Sequence, residues 1–271
     1  VTASRLAARY VAERRTAEQL GRDVGRSGRW VRDAMAAVPE AAPAPTPGPA
    51  VIVADVTFFD RRRGVLVCRD PNRRENPHWH EVPSETSAEY ASARDALLAA
   101  GVDIKAVVTD GRRGVREVFA GVPAQMCHFH QIKTVTTYLT RRPKTEAARE
   151  LRALALTLTR AEEAGFSAAL AAWNGRWSDY LKERTADAGA GRWQYTHRRL
   201  RAAYRSLKSN LPFLFTFQRL PELNIPNTTN SLDGSFAAMK NLLSAHKGMS
   251  GRRRSVLVSQ ILSKKSLQIF H

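Results

Sequence analysis

The chain has 271 residues, 43% of them hydrophobic, enough to fill the core of one large domain or of two to three smaller ones, which excludes an intrinsically disordered protein. Lysine and arginine number 43 against 25 aspartate and glutamate, a net charge of +18 with a pI near 10.8, and arginine-rich segments recur along the whole length. Such a charge points to a polyanion, nucleic acid ahead of an acidic membrane or protein surface, and to binding that weakens steeply with salt as phosphates release counterions. Only Cys68 and Cys127 occur, too few for a disulfide scaffold, and no apolar run of about 18 residues is there to span a bilayer. A reducing, cytoplasmic or nucleoid setting without a membrane partner is expected. Val1 is not an initiator methionine, so residues upstream are allowed for.

In chain order, Ser4 to Arg14 places Leu6, Ala7, Tyr10 and Val11 at helical spacing. Thr16-Ala17-Glu18-Gln19 is a capping box that opens a second helix. From there Leu20, Gly21, Val24, Gly25, Ser27, Val31 and Ala34 have the spacing of a helix-turn-helix, with a small residue where two helices approach and glycine where the backbone turns. Ser27 would cap a recognition helix offering Arg29 and Arg32, with Arg26 just before it, to phosphates or guanine edges. A small structural three-helix bundle accounts for the same pattern. Residues 1–36 form this module, and residues 37–50, with no periodicity and prolines throughout, read as an extended, semi-rigid linker.

Val51 to Phe59 is apolar but for Asp55 and Thr57, the pattern of a strand buried on both faces. An ionised carboxylate there is expensive unless paired, and a metal ion is its natural partner. A turn at Asp60 to Gly64 leads to a second strand, Val65 to Arg69, in a hairpin, and His78-Trp79-His80-Glu81-Val82 alternates as a third. An exposed strand face explains its histidines more simply than a metal does. Ser87 to Ala100 reads as helix, and Ile104 to Thr109 as a strand ending in Asp110-Gly111, where open α/β sheets place functional groups. Arg112, Arg113 and Arg116 then supply cations suited to a phosphodiester, with a solvated turn as the plainer alternative. Val122 to Cys127 is a further strand, and Cys127 and His130 form a C-x-x-H pair. Zinc needs four ligands and no second pair is evident, so a local role is expected, Cys127 packing at a strand end and His130 fixing a loop.

Residues 141–220 read as all-helical. Within them Trp193, Tyr195, His197, Arg198, Arg199 and Arg201 interleave aromatics with cations, as a DNA-contacting face does, or as core aromatics beside solvated arginines do. The Asn/Thr cluster after Pro226 initiates a helix with Asp233 in its first or second turn, where the helix dipole favours an anion. Lys240 lies seven residues on, near the same face and placed for a phosphate.

Together, Asp110-Gly111, Cys127-x-x-His130, the helical segment, Asn227-Thr228-Thr229-Asn230-Ser231-Leu232-Asp233-Gly234 and His246-Lys247-Gly248-Met249-Ser250 resemble bacterial insertion-sequence transposases of the Mutator-like superfamily, DDE enzymes of ribonuclease-H-like fold. The resemblance covers roughly residues 51 to 250. It implies an α/β catalytic domain with a mixed sheet, residues 51–140 and 221–271, interrupted by an all-α insertion at 141–220 and preceded by an end-binding helix-turn-helix. It further implies that Asp55, Asp110 and Asp233 hold two Mg²⁺ or Mn²⁺ ions, Asp55 bridging both, for cleavage at the ends of a mobile element and strand transfer. The implied partners are double-stranded DNA, as terminal inverted repeats and target, and further copies of the chain in a homodimer or larger assembly. Such enzymes usually carry glutamate third, whereas Asp233 is one methylene shorter, and the nearest substitute, Glu222, precedes the helix start. Two other readings stay open: a metal-dependent nuclease or resolvase, and an inactive, transposase-derived DNA-binding regulator.

Overall fold

The computed structural model describes residues 5–6, 9–10, 13, 15–186, 193–245 and 249–263. The protein is α/β. Strands β1 (Gly48–Asp60), β2 (Arg63–Asp70), β3 (Glu75–Val82), β4 (Val102–Thr109) and β5 (Ala124–Met126) form a mixed sheet in the order β3-β2-β1-β4-β5. The helices are α1 (Ala17–Asp23), α2 (Gly28–Ala36), α3 (Ser87–Ala99), α4 (Arg113–Val118), α5 (His128–Leu139), α6 (Glu146–Thr157), α7 (Glu163–Lys182), α8 (Arg198–Leu214), α9 (Thr216–Arg219), α10 (Asn230–Ala245) and α11 (Gly251–Leu262). The chain divides into two compact units, residues 1–105 with 230–271 and residues 106–229.

In the first unit β1, β2 and β3 form an antiparallel meander. β1 is closed to solvent from Ala50 to Asp55, as its unbroken apolar run requires. The expected hairpin is present, Asp55 facing Val67, and Asp60 Oδ1 accepts the Arg62 N–H at 3.0 Å to close its turn. β3 starts at Glu75, three residues before the alternating pattern begins. Its edge position explains the difference, because an edge strand tolerates Pro77 without losing a ladder hydrogen bond. Helix α3, capped by the Thr86 hydroxyl, packs on β2 and β3 with Tyr90, Ala93 and Leu97 buried.

Most of the expected helix from Ser4 to Arg14 lies outside the described residues, although Leu6 and Tyr10 are buried. The capping box is formed: Thr16 Oγ1 accepts the Gln19 N–H at 3.2 Å and Gln19 Oε1 accepts the Thr16 N–H at 2.8 Å. Ser27 caps α2 as expected. Gly21 stands where the backbones crowd, since a Cβ there would lie 2.5 Å from the Arg26 carbonyl oxygen.

Residues 37–50 do not run free. The Thr46 carbonyl accepts from Arg73 at 2.6 Å, the Thr46 hydroxyl donates to Glu75, and the Ala41 N–H donates to Ser259 Oγ at 2.9 Å on α11. Val38 packs on Val256 of the same helix, and residues 48–50 already belong to β1. A proline-rich segment has carbonyls without ladder partners, and side-chain donors such as Arg73 satisfy them.

In the second unit, β5 pairs in parallel with β4. Helices α5 to α8 enclose an apolar core around Leu151, Phe166, Trp173, Leu207 and Phe215. Trp173 is buried whole, its indole N–H donating to the Ala147 carbonyl at 3.0 Å, so its polar edge is satisfied. The Leu214 carbonyl at the end of α8 accepts from Gln125 and contacts the His128 ring at 2.6 Å, in place of a helical N–H. The stretch expected to be all-helical also holds an antiparallel ribbon, β6 (Arg184–Ala186) and β7 (Trp193–Tyr195). Strands of three residues are too short for a period-two signal, and side chains fasten this pair: the Thr185 and Thr196 hydroxyls at 2.7 Å and Arg184 over the Tyr195 ring. Among the described residues, no helix is long and apolar enough to cross a membrane.

Because the nearest obstacle at Gly21 is backbone rather than a movable side chain, Gly21→Ala is expected to destabilise the α1–α2 pair by about 1–3 kcal/mol. Hydrogen exchange should accelerate through α1 and α2 while the amides of β1 keep their protection.

Candidate functional site

The three candidate carboxylates are divided between the units, Asp55 and Asp233 in the first and Asp110 in the second. Asp55 is 8% exposed in a strand of valines, isoleucine and alanine, and its Oδ1 accepts the Val56 N–H at 2.8 Å. α10 packs on β1, with Leu232, Phe236 and Met239 as its buried side. Asp233 falls in the first turn of α10, as its sequence position suggests, and both it and Lys240 are exposed. His246-Lys247-Gly248 lies outside the described residues.

Asp110 directly follows β4. Its Oδ1 accepts the Arg112 N–H at 3.0 Å and its Oδ2 pairs with the Arg112 guanidinium at 2.9 Å. Gly111 is favoured here for two reasons: its φ of +87° is one that L side chains rarely adopt, and a Cβ would collide with the Met126 side chain. Of the neighbouring cations, Arg113 is exposed and pairs with Glu117 at 2.8 Å. Arg116 turns inward, donating to Asn210 and stacking 4.3 Å over the Phe213 ring.

Cys127 follows β5 directly, and His130 stands in the first turn of α5 rather than on a loop. Cys127, buried, precedes α5, and its Sγ accepts the Thr229 N–H at 3.4 Å and meets the Thr229 hydroxyl at 3.5 Å. The His128 N–H donates to the Asn227 carbonyl at 2.9 Å, so the C-x-x-H motif and the Asn/Thr motif a hundred residues later are stitched together. Burial opposes ionisation of the Cys127 thiol, but hydrogen bonds from His130 and Thr229 outweigh it and hold the pKa below the ordinary value. Sequence alone does not single out Thr229, because a threonine partner for a thiol has no spacing signature.

On the first unit, Arg26 and Arg29 are exposed, Arg26 5.5 Å over Trp30. Trp30, 39% exposed beside them, is a candidate DNA-facing residue that the sequence pattern alone does not mark. Arg32 is ion-paired with Glu18, joining α2 to α1, and Arg29 lies 3.9 Å from Asp33. The β3 histidines depart from a simple exposed face. His78 Nε2 lies 3.0 Å from His80 Nδ1, and His80 Nε2 lies 2.9 Å from Glu89, so α3 covers them; burial pushes His78 down to about 4. Among the described residues, no three His, Cys, Asp or Glu side chains gather as a metal site.

No protein-family model matches the chain, and a search of curated proteins returns no match.

Gly111→Ala is expected to destabilise the second unit by about 2 kcal/mol or more, read from a lowered midpoint in urea. Thr229→Val and His130→Ala are each expected to move Cys127 ionisation to higher pH in an ultraviolet thiolate titration. Cys68, pushed up to about 12 by burial, stays silent across that range.

Proposed function

We propose that the protein is a DNA transposase of the bacterial insertion-sequence, Mutator-like type, acting through Asp55, Asp110 and Asp233 at the ends of a mobile element. The observation that carries this is Asp55, a carboxylate 8% exposed in the apolar run from Val51 to Val56, with the helix bearing Asp233 packed on that same strand. The strand order β3-β2-β1-β4-β5, with Asp110 directly after β4, supports a ribonuclease-H-like sheet. The Ser27-capped helix pair with exposed Arg26 and Arg29 supports a helix-turn-helix for the element ends.

Three carboxylates without a thiolate or imidazole are hard oxygen donors, the set that suits Mg²⁺ or Mn²⁺. Asp55, Asp110 and Asp233 would hold the ions, which when bound activate the attacking oxygen and stabilise the departing one in an in-line displacement. The chain's own groups do the rest. The Val56 N–H orients Asp55, and Arg112 orients Asp110 through both of its oxygens. Exposed Arg113 and Lys240 offer charge to phosphates, and two or more copies of the chain bring both element ends together. One observation favours a second reading: Asp110 is neutralised by Arg112, as suits a DNA-binding regulator derived from a transposase.

The test uses labelled DNA carrying the inverted repeats that flank the coding sequence, a target plasmid, and Mg²⁺ or Mn²⁺. Wild type is expected to give cleaved and joined products. Asp110→Ala is expected to lose several kcal/mol of transition-state stabilisation, on the order of 10³-fold in rate. Binding without cutting by both proteins would make the regulator the better account, and cleavage without joining would make it a nuclease or resolvase.

A further inference from the structure

We propose that a groove along α8 is a separate duplex-DNA interface, built to grip the sugar-phosphate backbone. The groove encloses about 1070 Å³ and lies wholly within the second unit, with α8 as its floor and Tyr138 and Tyr195 among its lining residues. Arg198, Arg201, Arg205 and Lys208 recur at steps of three and four residues along α8, which places them on one face. They span ~15 Å of helix axis, roughly the run of four or five phosphates on one strand.

Two features separate this row from an ordinary solvated helix face. First, among the described residues no carboxylate lines the groove. The hydrogen bonds of Arg198 and Arg201 go to neutral oxygens, the Gln194 side chain and the Leu181 carbonyl, which orient the guanidinium groups without cancelling their charge. On α7, by contrast, Arg176 is neutralised by Glu146 and Glu150. Second, the charge continues. An adjoining groove of about 810 Å³ shares Tyr138 and Arg198 and adds Arg142, Lys144 and Arg199, again with no carboxylate among the described residues of its lining.

The local potential shows on Tyr195, whose phenol is held below its ordinary pKa by a hydrogen bond from Arg184 and then by the charges of Arg184, Arg201 and Arg205. Arg201 lies 3.5 Å over the Tyr195 ring. That stacking favours a duplex over a single strand, because a single-strand site needs free aromatic faces for its bases. Of the two aromatic rings lining this groove that of Tyr195 is already covered, which leaves only Tyr138, 37% exposed, to meet a base, and exposed Trp193 is not among the lining residues. The choice of duplex DNA rests on the proposed function; the polyanion track rests on geometry alone.

The test measures binding of the full chain to a random-sequence duplex across a salt series, with EDTA present so that no cleavage intervenes. Replacing exposed Arg198, Arg205 and Lys208 together by alanine leaves buried Leu200, Ala203 and Leu207 in place. It is expected to shallow the slope of log K against log salt by about 2.7, roughly 0.9 for each phosphate no longer neutralised. Alanine at exposed Arg160, Arg176 and Lys182 removes the same charge elsewhere on the unit and is expected to leave the slope unchanged. Lysine at Arg198 and Arg205 is expected to retain it. An unchanged slope in the groove variant, an equal loss in the control, or stronger competition by single-stranded DNA, RNA or anionic vesicles than by duplex would overturn the proposal. Wild type that binds duplex through the groove but never cuts the repeats would remove the transposase and leave this interface standing.

Discussion

A carboxylate inside an apolar strand is a standing electrostatic problem. Removing an ionised group from water costs several kcal/mol even after the surroundings relax, and Asp55 sits among Val51 to Ala54, all closed to solvent. The geometry of β1 follows from this tension: the residues that bury the strand also desolvate Asp55. The adjacent Val56 N–H offsets part of the cost. The same low-dielectric surroundings would strengthen the attraction of any cation to that carboxylate.

Cations elsewhere fall into two populations. Some arginines are structural: Arg32 joins α2 to α1 through Glu18, Arg73 moors residues 37–50, and Arg116 lies against Phe213. Others have no carboxylate partner among the described residues, and the α8 row is the clearest case, the hydrogen bonds of Arg198 and Arg201 ending on neutral oxygens. Net charge alone does not separate them. What matters for a polyanion is where positive charge is left without a carboxylate neighbour.

Much of the architecture was legible in the residues. β1, its hairpin, β4 with Asp110-Gly111, the capping box at Thr16 and the Ser27 cap follow from apolar runs and from chemistry acting over three or four positions. Features made by partners distant in sequence were not legible. Arg32 looks like a groove contact until Glu18 is seen beside it, His80 looks exposed until α3 brings up Glu89, and Thr229 carries no mark of its thiol partner. The ribbon at β6 and β7 escaped for another reason, since three residues are fewer than a period needs. On the candidate site, sequence position placed Asp233 in the first or second turn of its helix, and the structure puts it in the first and exposed.

Cys127 has one more consequence. Its N–H donates to the Thr109 carbonyl at 2.8 Å, and its sulfur accepts the Thr229 N–H. Thr109 lies near the start of the second unit and Thr229 at its end, so one residue bridges the two places where the chain passes into and out of that unit. Bringing the ends of so long a segment together carries a closure entropy that grows only slowly with length. The same three groups would therefore hold the two ends together at nearly the same cost were the segment between them somewhat longer.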